Sequence, residues 1–181
     1  MIYTFFANGF EEVEAITPVD YLKRAGIDVV TVGVGSTDIV GTHGIVLKCD
    51  IQDSEISSFD DTDGIILPGG MPGTINLENN TTVQNFIDYC ADNGKMIAAI
   101  CAAPSVLGHK GLLDNKNATC FPGFESELGN AVVSDKFAVR DGNIITAKGA
   151  GAASEFAFEI IAYLDSREKA DSIRKTVQTC Y

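Results

Sequence analysis

The sequence predicts a doubly wound α/β sandwich around a mostly parallel central sheet. Three observations lead there. Strand-like and helix-like segments alternate along most of the chain, the pattern of βαβ units. The segments Gly64-Ile65-Ile66-Leu67 and Met96-Ile97-Ala98-Ala99-Ile100 carry no polar side chain, as expected of strands covered on both faces. Asp141-Gly142-Asn143, between two β-rich runs, adds one antiparallel hairpin. At 181 residues and 45% hydrophobic content, the chain reads as a single domain over residues 1–181 that buries a core without staples.

Residues 2–7 form a first buried strand, and Asn8-Gly9-Phe10 turns the chain. A helix starts at Glu11-Glu12-Val13-Glu14 and runs to about Ala25, its acidic first turn suiting the positive end of the helix dipole. Three glutamates so close together read, for at least two of them, as a solvated helix start. Pro18 inside the pattern predicts a kink or a start in two pieces. Gly26 caps the helix, and residues 27–34 form a second strand. Residues 39–40 and 45–47, flanking Gly41-Thr42-His43-Gly44, read as a small hairpin excursion. The acidic stretch 50–61 is turn-rich, with room for one short helix.

After the strand 64–67 comes Pro68-Gly69-Gly70-Met71-Pro72-Gly73, a loop whose backbone amides can approach a ligand closely. It lacks the lysine and hydroxyl of a P-loop, so an oxyanion or carboxylate suits it better. Val83, Phe86, Ile87 and Cys90 form the apolar stripe of a helix over 81–92, which turns Cys90 to the core. The strand 95–100 leads into a helix over 104–110. Short strands are expected at 116–120 and 132–134, the hairpin at 137–147, and helices at about 152–164 and 168–178. Residues 8–14, 68–73, 101–103 and 148–151 lie at strand carboxyl ends, where ligands bind in such sheets.

The formal net charge of −12 excludes an electrostatic footprint for nucleic acid or anionic membranes. No apolar run reaches the length of a membrane span and no basic leader opens the chain, so the cytoplasm is expected. No G-x-G-x-x-G follows the first strand, so a dinucleotide fingerprint is absent. Cys49, Cys90, Cys101, Cys120 and Cys180 are widely spaced without a C-x-x-C pair, which argues against zinc and against a disulfide framework. No metal or organic cofactor is expected.

Cys101 stands apart. It ends the apolar strand, small residues occupy the positions two either side (Ala99 and Ala103), and Pro104 opens the following helix. That is the layout of a nucleophile on a tight strand-to-helix turn. A buried structural thiol remains the alternative at this point. A reactive thiol needs a basic partner, a helix N-terminus or hydrogen bonds to its thiolate. Among the two histidines, His109 lies eight residues along the same helix, roughly 12 Å at 1.5 Å per residue. His43 sits in the excursion loop and reads as exposed. A Cys-His-acid triad of the class I glutamine amidotransferase type is therefore poorly supported. An acidic partner works if burial keeps its carboxyl protonated, since it then donates a hydrogen bond to the sulfur.

Gly9-Phe10-Glu11-Glu12-Val13-Glu14, Pro18-Val19-Asp20, Leu67-Pro68-Gly69-Gly70 and Ala98-Ala99-Ile100-Cys101-Ala102, in this order, resemble the ThiJ/PfpI superfamily. The similarity covers essentially the whole chain. It is nearest the subgroup of the Parkinson-disease-associated protein deglycase and bacterial YajL. The resemblance implies a flavodoxin-like sandwich, a homodimer and an oxidation-sensitive cysteine. The family cysteine falls on Cys101, its partner glutamate on Glu14, and the oxyanion-holding amides on Gly70 and Ala102. Gly69, Phe121 and Gly149 are further candidates. Peptidases of the superfamily carry a histidine directly after the nucleophile; here Ala102 stands there, so proteolysis is the least favoured activity. Phe121 replaces a histidine of the deglycase subgroup, and Gly149-Ala150-Gly151 replaces the family's G-P-G.

The resemblance implies a glyoxalase III or deglycase-like enzyme in which Cys101 attacks a 2-oxoaldehyde or its adduct on a glycated protein, with Glu14 shuttling the proton. The second reading is an oxidative-stress sensor or chaperone acting through Cys101 oxidation.

Overall fold

The computed structural model describes residues 1–179; Cys180, one of the five widely spaced cysteines, lies outside the described residues. β1 (Ile2–Phe6) is buried at every position. α1 (Glu12–Ala25) follows, capped by the Glu11 side chain, which accepts the Glu14 N–H, and closed by Gly26 at φ 79°, a left-handed cap that glycine adopts without strain. Pro18 lies inside this one continuous helix. Of the two alternatives, a kink or a start in two pieces, the second is corrected: Pro18 forgoes one N–H bond to the carbonyl four residues back, and packing against neighbouring elements outweighs that loss.

The chain continues through β2 (Val29–Gly33), the hairpin β3 (Asp38–Val40) and β4 (Val46–Lys48), and β5 (Ile51–Gln52). β5 was not expected; two residues are too few to leave a periodic signal. β6 (Gly64–Leu67) precedes α2 (Gly73–Glu78), also unforeseen because its first turn is formed by a glycine-rich loop. α3 (Thr81–Asp92) buries Val83, Phe86, Ile87 and Cys90 as its stripe requires. β7 (Met96–Ile100), α4 (Pro104–His109), β8 (Asn117–Ala118), β9 (Val132–Val133), β10 (Ala138–Asp141), β11 (Ile144–Ala147), α5 (Ala153–Leu164) and α6 (Arg167–Thr176) complete the described chain.

The main sheet among the described residues runs β10-β11-β7-β6-β1-β2-β5. β10 pairs antiparallel with β11 and every other neighbour is parallel. The two faces of β7 explain its unbroken apolar run. Ile97 and Ala99 join a cluster with Phe86, Ile87, Val106 and Leu107, whereas Met96, Ala98 and Ile100 pack with Phe156, Phe158 and Ile160 on the opposite side. From β1 the chain moves outward to β2 and β5, then returns to β6 on the other flank of β1. That reversal opens a crevice at the strand carboxyl ends, and the β1, β6, β7 and β11 loops meet there.

Candidate active site

Cys101 leaves β7 with φ 67°, a left-handed backbone that costs a residue with a Cβ about 1–3 kcal/mol. Neighbouring strands hold it there. The Cys101 N–H donates to the Ala147 carbonyl at the end of β11 (2.9 Å), and the Cys101 carbonyl accepts the Phe121 N–H (2.8 Å). The small residues anticipated at 99 and 103 are fully buried, leaving room for the chain to fold back. Cys101 itself is partly exposed.

Glu14 comes from the first turn of α1 and is 1% exposed. Its Oε2 is buried without a conventional hydrogen-bond partner. Gly69 lies between this carboxyl and the cysteine: a methyl on Gly69 would stand 2.5 Å from Cys101 Cβ and 2.6 Å from Glu14 Oε2. Gly70 adopts φ 93°, and the Glu11 N–H donates to the Gly69 carbonyl (3.0 Å), tying the β1 and β6 loops together. On the far side, a methyl on Gly149 would stand 3.2 Å from Phe121 Cδ2 and 3.5 Å from Glu14 Oε1. The G-A-G loop therefore contacts Glu14, and the Ala150 amide, in a loop the sequence placed at a strand carboxyl end without giving this residue a role, also acts on that carboxyl.

Burial pushes Glu14 up to about 7, helped by the charge of Glu11 and opposed by the Cys101 thiol and the Gly69 and Ala150 amides. Burial, then the Glu14 charge and the hydrogen bond with Glu14, push the Cys101 thiol up to about 12; the Ala102 and Gly70 amides pull the other way. Both shifts favour the protonated forms, so near neutrality the thiol keeps its proton while Glu14 titrates. The expectation of a carboxyl kept partly protonated by burial matches this direction. A thiolate favoured at rest does not follow from it: burial first, and then the ionised form of Glu14, hold the proton on sulfur until an electrophile draws it off.

The reading of two solvated glutamates is corrected as well. Glu12 is 5% exposed and Glu14 1%. Glu12 accepts the His43 N–H (2.8 Å), meets His43 Nδ1 (2.7 Å) and accepts the Thr42 hydroxyl (3.1 Å). It anchors the β3–β4 excursion to α1, an interaction between residues 31 apart that no local pattern reveals. His43 is exposed, as expected. Glu11, Glu12 and His43 bring ligand-type atoms within 4.8 Å of one another, but their carboxylates are already engaged in capping α1 and holding the excursion loop.

His109 points away from Cys101, bridging Glu78 and Glu127. Cys49, Cys90 and Cys120 are buried, their thiols pushed up to about 12, 12 and 11, chiefly by burial. Met96 is a core residue and Met71 is exposed on its loop. A cleft of about 540 Å³ beside Ile27, Asp63 and Lys95 lies at the amino ends of the strands, away from the cysteine. The strand-end rule and the strained thiol both favour the opposite end. Among the described residues no helix is long and apolar enough to cross a membrane.

A family model described as DJ-1/PfpI matches residues 1–163. The chain is 35% identical over 178 residues to protein dj-1beta of Drosophila melanogaster, covering 97% of this chain and 95% of that protein. It is 32% identical over 148 residues to a Pyrococcus abyssi protein named a deglycase, covering 80% of this chain and 87% of that one. The solved structure of Toxoplasma gondii DJ-1, described as oxidized, superposes with a TM-score of 0.94 at 30% identity, covering 99% of this chain and 98% of that one.

Proposed function

The chain belongs to the DJ-1/PfpI family, and from that premise we propose that it is a cysteine-dependent enzyme of the glyoxalase III or deglycase type, acting on reactive 2-oxoaldehydes or their protein adducts. The observation that carries the reading is the strained backbone of Cys101 beside the buried carboxyl of Glu14. A Pyrococcus abyssi relative named a deglycase supports it.

In this mechanism Cys101 Sγ bonds to the aldehyde carbon while the carbonyl π bond opens. The thiol proton passes to Glu14, and the new oxyanion faces the Gly70 and Ala102 amides before it is protonated. Glu14 then moves the hydrogen of the former aldehyde carbon to the neighbouring carbonyl carbon as a proton, through an enediol. One carbon is oxidised, its neighbour is reduced, and a thioester remains on Cys101. Water releases a 2-hydroxy acid and restores the thiol, so no external oxidant or reductant takes part. A buried acid near pH 7 suits both directions of proton transfer. Incubation with methylglyoxal should yield lactate faster than the Cys101→Ala variant does; equal rates overturn the reading.

Amides aimed at the sulfur also favour a second reading, an oxidation sensor. Peroxide would convert Cys101 to a sulfinic acid in two steps, each releasing water. Intact mass after mild peroxide should show two added oxygens, and peptide mapping should place them on Cys101. We further propose a homodimer. The exposed Val13 and Ile16 of α1 and Val40, Ile45 and Val46 of the hairpin support it, because Glu12 holds those elements together.

A further inference from the structure

Phe121 is a large apolar residue left 47% exposed. Single exposed hydrophobics are ordinary, but its surroundings set this one apart. Its N–H is bonded to the carbonyl of Cys101 (2.8 Å), so its backbone is registered on the residue bearing the thiol. The Cδ2–Cε2 edge of its ring packs on Gly149, at 3.2 and 3.7 Å from where a Cβ would stand, and Glu14 Oε1 lies 3.5 Å from the same point. The ring thus packs along one edge while the residue stays about half exposed, beside the carboxyl that faces Cys101. No polar side chain stands in this position, so the wall offers dispersion and a π face without hydrogen bonds.

We propose that Phe121 is the specificity-determining residue of the Cys101 site, selecting carbonyl compounds with a flat apolar or aromatic substituent beside the reacting carbon over those with hydrogen there. The inference rests on the proposed carbonyl chemistry for its substrate, but the selectivity itself belongs to the thiol's surroundings. A ring–ring contact favours the aromatic compound by about threefold to tenfold.

The test uses two probes with the same electrophile, N-phenylmaleimide and N-methylmaleimide. The rate ratio at Cys101 is followed by mass, with the adduct located by peptide mapping, and normalised to glutathione. The wild-type ratio should exceed that of glutathione by about threefold to tenfold, fall close to it in Phe121→Ala, and lie between in Phe121→Leu. A variant that merely loosens the loop would change both rates together and leave the ratio unchanged. In parallel, the phenylglyoxal-to-glyoxal ratio of kcat/KM is measured. If maleimide selectivity depends on Phe121 but neither aldehyde is turned over above Cys101→Ala, the proposed enzymatic function falls and the role of Phe121 stands. A maleimide ratio unchanged by both Phe121 variants, or already equal to that of glutathione, overturns the inference.

Discussion

Gly69→Ala adds one methyl group at the closest point of the site. That methyl would lie 2.5 Å from Cys101 Cβ, 2.6 Å from Glu14 Oε2 and 2.9 Å from the Ile100 carbonyl oxygen. Unstrained carbon contacts lie at about 3.5–4.0 Å, so the surroundings must open by roughly an ångström. Gly69 is not among the glycines with positive φ, which makes the penalty steric and not conformational. Ile100 is fixed in β7, and Cys101 is held by hydrogen bonds to Ala147 and Phe121. The Glu14 side chain is the group with freedom to swing away, at the expense of its contact with the thiol. Overpacking of this kind costs about 1–3 kcal/mol, and each kcal/mol lowers Tm by about 2–4 °C in a chain of this length. Urea unfolding should therefore show that loss, and the pH profile of Cys101 alkylation should shift. Gly151→Ala is the control: its Cβ meets nothing within 4 Å, so stability should stay within about 0.5 kcal/mol of wild type. A Gly69→Ala protein as stable as this control, with an unshifted alkylation profile, refutes the packing described here.

Both Cys101→Gly and Cys101→Ala should abolish thiol chemistry, but the glycine variant should be the more stable by about 1 kcal/mol because it accepts φ 67° without strain; urea midpoints in the reverse order would show that the turn stores no strain. Glu14, raised from 4.5 to about 7, contributes stability that is fully present below pH 4.5 and is lost as pH rises through about 7. Relative to Glu14→Gln, the wild type should gain on the order of 3 kcal/mol between pH 8 and pH 4, and parallel stability curves for the two proteins would contradict the assignment. His109, raised above 6.5 first by Glu78 and then by Glu127, contributes stability present below pH 6.5 and lost as pH rises through its elevated folded value. Being 43% exposed, it is worth less than about 1 kcal/mol; His109→Gln should lower Tm at pH 6 and leave it nearly unchanged at pH 9.

Local periodicity and punctuation determine much of this chain. The unbroken apolar runs of β6 and β7, the stripe of α3 and the Gly26 cap mark elements that form where the sequence places them, because each signal acts within one or two turns. The small residues around Cys101 and the Pro104 helix start likewise mark the tight strand-to-helix turn before any tertiary contact is known. Elements of two residues, such as β5, or those built from a glycine-rich loop, such as α2, leave no comparable pattern.

Only the tertiary structure separates the three glutamates at the start of α1. Glu11 caps the helix, Glu12 ties down a hairpin 31 residues away, and Glu14 is buried beside Cys101. By sequence they are one acidic run at a helix start. Their different roles come from burial and from partners on other strands, which shift proton affinities by depriving charges of water and supplying other charges or dipoles in its place. The same holds for Cys101: its position on a turn is written in the sequence, whereas the Glu14 carboxyl and the amides around it are brought there by four parallel strands ending side by side, and the Phe121 ring by the loop after β8, bonded to the Cys101 carbonyl.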